Sequence, residues 1–476
     1  MPLSKNGDNY LAAAGGLKQE EGMAQHSSKQ KENQFFRSLA IGLIAGFTLI
    51  ALTLGPGLIE MLSPAKPEPT PQPTVAPTAA PIATPVPTPE PTPLVVTDEM
   101  RYDEALALLD AGSFDEALAA FEALGSYEDS EERCFETKLL RADALCEAGR
   151  GFEAATEVYQ LYLDTGDPRA WDRCFALWER VTQRETVSAG VNYTVGVCND
   201  GSVLATGRNK VGQCMVRDWE NVAAVSAGGW HPLGLRFDGT VIATGSNYYG
   251  QLNVDEWTDI VAVSGGSSHS IGLRADGTAV ATGYNRFGQC ELSDWSNLVA
   301  VAAGNTHSVG LRADGTVVAV GENENGQCDV DGWTNVIAIS ASELNTVALR
   351  ADGTVLAAGD NNYNQCKVSE WTDIVAVSTY ANAVDEHTVF FAHTLGLRAD
   401  GTVVATGSNR YGQSLVTGWD HMISVSAGGY HSAGLRDDGS AVATEVTDIR
   451  GNGGQCNVED WTDLRIPAAR QFVPQG

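Results

Sequence analysis

Histidine recurs at one position of a repeating pattern in the second half of the chain, and such a set could suggest a metal site. The five residues are His231, His269, His307, His393 and His431. Each belongs to a different repeat unit, so the copies stand too far apart to share one ion, whose ligands must lie about 2 Å away. We therefore predict that these histidines are structural and that the protein holds no metal.

Asp385, Glu386 and His387 form a second group that could do chemistry, and they lie in a ten-residue insertion within the sixth repeat. General acid–base catalysis at this loop would need partner groups from other repeat units. The sequence contains no G-x-S-x-G, no H-E-x-x-H and no phosphate-binding loop motif. We predict a binding protein with neither enzymatic activity nor a cofactor.

The charge balance narrows the class of partner. The chain has 476 residues, with 60 acidic against 30 basic side chains and a formal net charge of -30. Such a field repels phosphate backbones, which argues against nucleic acid as a partner.

Five of the nine cysteines also share one repeat position. They are Cys214, Cys290, Cys328, Cys366 and Cys456. A disulfide needs Cα atoms within about 7 Å, so we expect these residues to act as small apolar fillers. A bridge among Cys134, Cys146 and Cys174 stays open.

The N-terminal region has the pattern of a membrane anchor. Residues 38–61 are mostly apolar, with Lys29, Lys31 and Arg37 before them and Glu60 near their end. Basic residues favour the cytoplasmic side, so we predict a cytoplasmic tail over residues 1–37 and a single-pass protein of the cell membrane. A cleaved signal peptide is the competing interpretation, although the leader is long and no A-x-A-like site follows.

Beyond the anchor, two segments with different periods lead to the repeats. Residues 62–97 are rich in Pro and Thr and should form an extended extracellular stalk. Residues 98–183 show helical spacing of apolar residues. The text from Ala111 to Ala117 and from Leu124 to Ser130 resembles tetratricopeptide hairpins, which implies either a peptide groove or a spacer.

After residue 184 the sequence repeats itself seven times. Asp-Gly pairs begin at Asp200, Asp238, Asp276, Asp314, Asp352, Asp400 and Asp438. Tryptophans recur at one position of each unit, at Trp219, Trp257, Trp295, Trp333, Trp371, Trp419 and Trp461. In the third unit, residues 257–263, 268–274 and 278–282 have the composition of strands, and a short fourth edge should follow. The pattern predicts an all-β seven-bladed propeller over residues 184–470.

Three sequence motifs recur in the units, V-S-A-G-x-x-H, G-L-R-x-D-G-T and G-x-N-x-x-G-Q. Together they resemble the regulator-of-chromosome-condensation repeat. The 38-residue unit is shorter than the eukaryotic chromatin-binding form and looks closer to the compact bacterial version, including the secreted β-lactamase inhibitor protein II type. That resemblance implies a propeller that binds proteins through loops on one face. The C-terminal segment Trp461 to Leu464 should complete the first blade, which otherwise lacks its tryptophan.

Residues that vary between blades indicate where a partner binds. Loops one and three of each blade should share one face, opposite the Asp-Gly turns, where a repeated Arg should pair with the turn Asp. On the loop face we predict partner-binding residues Trp230, Tyr248, Tyr284, Tyr380, Phe390, Phe391 and Tyr430. Tyr249, Phe287, Tyr363 and Tyr411 could equally pack against neighbouring loops. The predicted partner is a protein, with a cell-wall or host glycan as the alternative.

Overall fold

A computed structural model describes residues 95–182, 184–381, 392–446 and 453–468, together with the backbone of residues 383–385 and 388–389. The predicted tail, the predicted membrane anchor, most of the stalk, Glu386, His387, Phe390 and Phe391 lie outside the described residues. Within the described part, no helix is long and apolar enough to cross a membrane. All described elements belong to one compact unit, Pro93–Gly476.

Five helices of the described part precede the strands, and each packs on the next along the chain. They are α1 (Asp98–Asp110), α2 (Phe114–Leu124), α3 (Ser130–Glu147), α4 (Gly151–Thr165) and α5 (Pro168–Val181). The first four correspond to the two predicted hairpins. The fifth was not predicted as a separate helix, although Asp167 caps its N-terminus and proline is well suited to the first helical turn.

The remaining chain forms seven three-stranded antiparallel sheets, which fit a seven-bladed propeller. The first four blades are β1 (Val187–Ala189), β2 (Tyr193–Val197), β3 (Val203–Gly207); β4 (Val222–Ala227), β5 (Pro232–Arg236), β6 (Val241–Ala243); β7 (Ile260–Gly265), β8 (His269–Arg274), β9 (Ala279–Gly283); and β10 (Leu298–Ala303), β11 (His307–Arg312), β12 (Val317–Gly321).

The fifth blade is β13 (Val336–Ala341), β14 (Asn345–Arg350) and β15 (Val355–Gly359), and the insertion of the sixth blade adds a short hairpin. The sixth and seventh blades are β16 (Ile374–Tyr380), β19 (His393–Arg398), β20 (Val403–Gly407) with the hairpin β17 (Ala383–Asp385), β18 (Thr388–Val389); and β21 (Met422–Ala427), β22 (Ser432–Arg436), β23 (Ala441–Ala443).

The predicted fourth strand is wrong for these blades. In the third unit, the chain from Cys290 to Asn297 runs as turns, bends and irregular structure rather than as a strand. Asn297 has a φ of 56°, which takes the chain out of the extended conformation. Trp295, two residues earlier, is buried, so this segment contributes a core side chain instead of a strand.

The repeated tryptophans pack on a glycine of the central strand. A Cβ atom built on Gly272 would lie 2.9 Å from the Trp257 ring, closer than real contacts allow. In the fifth blade Ala348 replaces this glycine and Trp333 is half-buried, but Trp371 of the sixth blade is half-buried too although it packs on Gly396. Five of the seven tryptophans are buried, which confirms their interpretation as core residues, and each of these five packs on a glycine.

The ring closes where the C-terminal segment was predicted to complete the first blade. Leu464 forms an antiparallel bridge with Cys198, and the Arg465 N–H donates to the Val197 carbonyl at 2.8 Å. Val222 and Arg236 make the equivalent pair in the second blade. The first blade thus takes the start of its inner strand from the end of the chain, and this prediction is confirmed.

Each repeat histidine joins its blade to the next one. His269 Nε2 lies 3.0 Å from the Ser308 hydroxyl, and that hydroxyl donates to the Gln289 carbonyl at 2.7 Å. A hydroxyl has one proton, so Nε2 must carry the proton of the imidazole and donate it. His231, His307, His393 and His431 make the same contact, to Ser270, Thr346, Ser432 and Thr194.

The structural interpretation of these histidines is confirmed by those contacts. The contact from His431 to Thr194 crosses from the seventh blade to the first, so the set closes around the ring. Burial lowers the pKa of His269 to about 4 and that of His307 to about 3, and it keeps these imidazoles neutral. In the fifth blade Asn345 takes the position and donates to the Thr379 hydroxyl at 3.0 Å.

The predicted ion pairs at the Asp-Gly turns are wrong. No salt bridge within 4 Å joins Arg274 to Asp276 or its counterparts in the described blades. Asp276 Oδ1 instead accepts from the backbone N–H of Thr278 at 2.8 Å and from its hydroxyl at 2.6 Å. The carboxylate thereby stabilises the tight turn itself, and the arginine lies beyond ion-pair distance.

We predict that Gly272→Ala destabilises the protein by about 1–3 kcal/mol, because the added methyl group collides with the Trp257 ring. Chemical denaturation of the variant measures this loss. Ala348→Gly is the matched control at the same repeat position, and its cost should be at most about 1 kcal/mol. Equal losses in the two variants would contradict the proposed contact.

We predict that the protein loses stability as the pH falls from about 6.5 towards 3. In the unfolded chain histidine binds a proton near pH 6.5, whereas the folded pKa of His231, His307, His393 and His431 is about 3 and that of His269 about 4. Above pH 6.5 both states are neutral, so this contribution is constant. Below it, each histidine weakens folding by roughly 1.4 kcal/mol per pH unit.

Denaturation across this pH range checks the effect, with His307→Asn as the test because Asn345 already occupies the position in another blade. The variant should unfold with a shallower pH dependence than the parent, by about one proton. An unchanged slope would show that the acid sensitivity comes from other groups.

Candidate functional site

Two kinds of loop meet on one face of the propeller. The Ser246 N–H, after the third strand of the second blade, donates to the carbonyl of Trp230 between the first and second strands at 3.0 Å. Tyr284 makes the same bond to Ser268 in the third blade. We call this side the loop face. For the described residues, the prediction that these loops share a face is confirmed.

The opposite face, which carries the Asp-Gly turns, is partly covered by the helices. Trp171 of α5 donates from Nε1 to the Phe237 carbonyl at 3.0 Å. A Cβ atom on Gly239 would lie 2.5 Å from the Trp171 ring, and one on Gly277 would lie 3.2 Å from Phe152 of α4. The helical segment therefore sits on the turns of the second and third blades, where glycine makes room for its aromatic rings.

Two arginines fasten the helices to the propeller. Arg184 donates from Nε to the Val261 carbonyl at 2.7 Å and stacks 4.0 Å from the Phe175 ring centroid. Burial lowers the pKa of Arg184 to about 10. Arg465 of the closing segment pairs with Glu179 of α5 at 2.8 Å. Arg465 therefore takes part both in the closure of the ring and in the docking of α5 on the propeller.

The loop face carries a contiguous aromatic cluster at the second and third blades. Ring centroids lie 4.8 Å apart for Tyr248–Tyr249, 4.8 Å for Tyr249–Tyr284 and 6.2 Å for Tyr284–Phe287, all edge to face. Tyr248 is 84% exposed, Tyr249 47% and Phe287 38%. Exposed aromatic side chains of this kind are typical of binding surfaces.

This cluster differs in part from the predicted set. Tyr248 and Tyr284 lie within it, but so do Tyr249 and Phe287, for which packing against neighbouring loops was equally expected. Trp230 is half-buried and makes no ring contact with the cluster within the described residues. The full cluster could have been predicted from the sequence, because the same loop carries aromatic residues in two adjacent blades.

The other predicted residues lie on the far side of the ring or outside the described part. Tyr430 is half-buried and packs edge to face on buried Tyr411 at 4.9 Å. Tyr380 ends strand β16 opposite His393 and packs partly against the core.

Charge is distributed unevenly over the third-strand loops. Residues 208–213, 246–251 and 284–289, of blades one to three, contain no acidic side chain but include Arg208, Lys210 and Arg286. The equivalent residues 322–327 of the fourth blade contain two glutamates. On a chain of net charge -30, the aromatic side of the loop face is therefore locally basic.

The loops themselves are held by a repeated set of hydrogen bonds. Asn285 Oδ1 accepts from the Cys290 N–H at 2.8 Å, and Gln289 Oε1 accepts from the Phe287 N–H at 3.1 Å. The Cys290 thiol donates to the Tyr284 carbonyl at 3.4 Å, a bond that Ser414 makes with its hydroxyl in the sixth blade. These cysteines are thus weak donors rather than simple apolar fillers, and all nine cysteines are free.

The centre of the ring offers little room for a ligand. A channel of about 110 Å³ opens among the loops, too small for a typical organic ligand. Ser226 Oγ accepts from the Gly265 N–H of the next blade at 3.0 Å, and five other inner-strand serines repeat this contact. They are Ser188, Ser264, Ser340, Ser378 and Ser426.

Glu185 is half-buried and lines this channel together with the serines. Burial raises the pKa of its carboxyl to about 7. A second cavity, of about 520 Å³, lies beside the end of α5 and the closing segment. Within the described residues no group of three or more His, Cys, Asp or Glu side chains could hold a metal ion.

Comparison with known proteins identifies the repeat. The regulator of chromosome condensation (RCC1) repeat matches the chain at residues 222–251, 260–289, 298–327, 336–365 and 391–413. The propeller is therefore RCC1-like, as the resemblance implied. The likeness to the secreted inhibitor type and to tetratricopeptide hairpins stays a prediction. No curated protein matches the chain in sequence.

Solved structures with a similar arrangement come from yeast and plants. The structure of yeast RCC1 (Prp20) bound to Kap60 is 17% identical, covers 54% of this chain and 75% of its own, and has a TM-score of 0.41. Prp20p from Saccharomyces cerevisiae is 15% identical over 61% and 89%, with a TM-score of 0.43. The CRINKLY WD40 ectodomain of the Arabidopsis thaliana receptor kinase ACR4 is 17% identical over 58% and 98%, with a TM-score of 0.47.

Proposed function

We propose that the protein is a membrane-anchored extracellular binding protein whose RCC1-like propeller engages a protein partner through the loop face. The observation that carries this proposal is the exposed cluster of Tyr248, Tyr249, Tyr284 and Phe287. Aromatic side chains lose little conformational entropy on binding and supply a large contact area. RCC1-repeat propellers are generally binding or regulatory proteins, which agrees with this role.

The two faces of the propeller differ in a way that also supports the loop face as the binding surface. The turns of the second and third blades are covered by α4 and α5 through Trp171 and Phe152. The same two blades carry their aromatic residues on the loop face, away from the helices. The helical segment then serves as the attachment between the stalk and the propeller, with the binding surface directed away from it.

The anchoring and the location rest on the sequence. The apolar run of residues 38–61, its basic N-terminal flank and the Pro/Thr-rich segment after it favour a single-pass protein with the propeller outside. The chain as a whole is strongly acidic, with a net charge of -30, which disfavours a nucleic-acid partner. We propose no catalytic role, since the channel is narrow and the described loops of blades one to three present aromatic and basic side chains rather than a nucleophile–base pair.

A glycan is the second candidate partner, and the tyrosines favour it to a limited degree. Rings that are half-exposed and fixed by edge-to-face contacts could stack on the apolar face of a sugar. Sugar binding of this kind would depend little on salt. A protein partner matched to the basic side of the loop face would bind more weakly at high ionic strength.

The proposal is tested by capture on the fragment 93–476, from cell-surface proteins, secreted proteins and cell-wall polysaccharide of the organism. A second bait carries Tyr248→Ala, Tyr249→Ala and Tyr284→Ala, whose loss should weaken binding at least tenfold if the cluster is central to the interface. Val375→Ala is the control, since Val375 is 51% exposed and lies at the start of an inner strand, away from the loops.

We expect the parent and the control bait to retain a partner and the triple variant to lose it. Equal capture by all three baits would move the binding surface away from the loop face. A retained polysaccharide in place of a protein would favour the glycan alternative.

A further inference from the structure

We propose that the cavity beside α5 binds a small molecule with an aliphatic body and one carboxylate group, of the kind found in a medium-chain fatty acid. The cavity has a volume of about 520 Å³, and ligand sites in proteins typically measure about 300–1,000 Å³. It lies among the end of α5, the closing segment and the inner strands of the sixth and seventh blades. The inference goes beyond the proposed function and does not depend on it.

The cavity lies at the turn face, where the inner strands begin. Met422 donates from its backbone N–H to the carbonyl of Gly401, in the Asp-Gly turn of the sixth blade, at 3.1 Å. Both Met422 and Arg398, which stands just before that turn, line the cavity. The site is therefore separated from the aromatic cluster of the loop face by the length of the strands.

One apolar repeat position shows how the cavity arises. In blades two to four this position is held by Ala223, Val261 and Val299, which are buried in the same core cluster as residues of α4 and α5. In the sixth and seventh blades it is held by Val375, which is 51% exposed, and by half-buried Ile423. The described helices thus cover this position on one side of the ring and leave it as an apolar wall on the other.

Aliphatic side chains form the apolar part of the wall. They include Val375, Val377, Met422, Ile423 and Ile466. No aromatic side chain is among the described residues that line the cavity. Nucleobases are usually held by stacking on aromatic rings, whereas an alkyl chain needs only apolar contact area. The wall therefore favours an aliphatic ligand.

Arg184 places a buried positive charge at the wall of the cavity. This residue is 9% exposed. Its Nε donates to the Val261 carbonyl at 2.7 Å and its Nη2 to the Phe175 carbonyl at 3.3 Å, while Nη1 is buried without a hydrogen-bond partner among the described residues. A buried charge without a counterion is unfavourable. A carboxylate in the cavity would stabilise Arg184 through space, even without touching Nη1.

Arg398 supplies a second, more accessible cation. It is half-buried and makes no ion pair in the part of the chain that the structure describes. The carboxylate of nearby Asp400 accepts instead from the Thr402 N–H at 2.9 Å and from its hydroxyl at 2.6 Å. The Arg398 guanidinium can therefore donate to a ligand carboxylate, and charge-assisted bonds of this kind are among the stronger ones.

Two carboxyl groups also line the cavity, and neither cancels this charge in full. Glu179 already pairs with Arg465 at 2.8 Å. Glu185 is half-buried, and burial raises the pKa of its carboxyl to about 7, so only part of it is ionised at neutral pH. The wall therefore keeps an excess of positive charge on a chain whose net charge is -30. That excess fits a ligand with a single carboxylate.

Isothermal titration calorimetry of sodium decanoate into the fragment 93–476 tests the inference. This fragment contains every described helix and strand in one compact unit. Decanoate, used below the concentration at which it forms micelles, should bind saturably with one molecule per chain. Decanol has the same alkyl chain without the charge and should bind about tenfold more weakly. Decyltrimethylammonium, which carries the opposite charge, should not bind.

Two substitutions in the wall should weaken the binding of decanoate, and each has a matched control. Arg398→Gln should lower the affinity about tenfold, whereas Arg312→Gln, at the same repeat position of the fourth blade and outside the cavity wall, should leave it unchanged. Val375→Trp fills the cavity with a ring and should abolish binding. Val211→Trp, at a 45% exposed position in a loop of the first blade, should not.

The triple tyrosine variant of the loop face controls for non-specific binding of the amphiphile. It should bind decanoate like the parent. Circular dichroism establishes that every variant is folded. Decanoate should also raise the thermal midpoint of the parent but not that of Val375→Trp, because only a ligand that binds the folded state stabilises it.

Absence of saturable binding by the folded parent would overturn the inference. Equal affinity for decanol and decanoate, equal losses in the two arginine variants, or loss of binding in the tyrosine variant would also overturn it. The two proposals fail separately. Loss of a captured partner in the triple tyrosine variant, without binding of decanoate, would reject only the cavity ligand. Binding of decanoate with unaffected capture would reject the loop face as the partner site and retain the cavity.

Discussion

The contact between each repeat histidine and a hydroxyl of the next blade is the interaction on which the ring depends. A propeller blade has few strands and cannot bury both of its faces alone, so its stability comes from its neighbours. A neutral histidine supplies a buried polar link at five of the seven junctions. Asn345 replaces it in the fifth blade, and in the first blade the Tyr193 hydroxyl donates to the Gly228 carbonyl. His431 and Thr194 make this link across the junction between the last blade and the first, where Leu464 also pairs with Cys198.

The hydrogen bonds at these blade junctions also hold the loops of the binding surface in place. Ser308 receives the bond from His269 and donates to the Gln289 carbonyl, and Gln289 in turn accepts from the Phe287 N–H through its side chain. The loop that carries Tyr284, Arg286 and Phe287 is therefore connected to the ring by a short chain of hydrogen bonds. Side chains that face solvent are held on a rigid frame, which reduces the entropy lost on binding.

Much of this architecture could be predicted from the sequence because the same pattern of residues recurs in seven units. The Asp-Gly turns, the tryptophan core and the closure by Trp461 to Leu464 follow from period and composition. The missing fourth strand could not be predicted, since its absence depends on the positive φ of Asn297 and on the inward packing of Trp295. The arginine at each turn looked like an ion-pair partner, but the adjacent Thr hydroxyl and N–H take the carboxylate instead.

The site was predicted less completely, for a physical reason. Which aromatic residues meet across two blades depends on distances that a single repeat does not reveal, and Tyr249 and Phe287 were therefore undervalued beside Trp230 and Tyr430. The docking of α5 on the turn face likewise required knowing that Gly239 leaves space for Trp171. The spacing of Trp171, Cys174, Phe175 and Trp178 is helical and was the available signal.

The central claim is that the loops of blades one to three form the binding surface. Hydrogen–deuterium exchange of the fragment 93–476, alone and with its captured partner, tests this most directly. The account predicts slower exchange in the complex at residues 208–215, 246–251 and 284–289, with little change at the Asp-Gly turns. Protection centred on the loops of the fourth and fifth blades, on the turns or on the helices would contradict it.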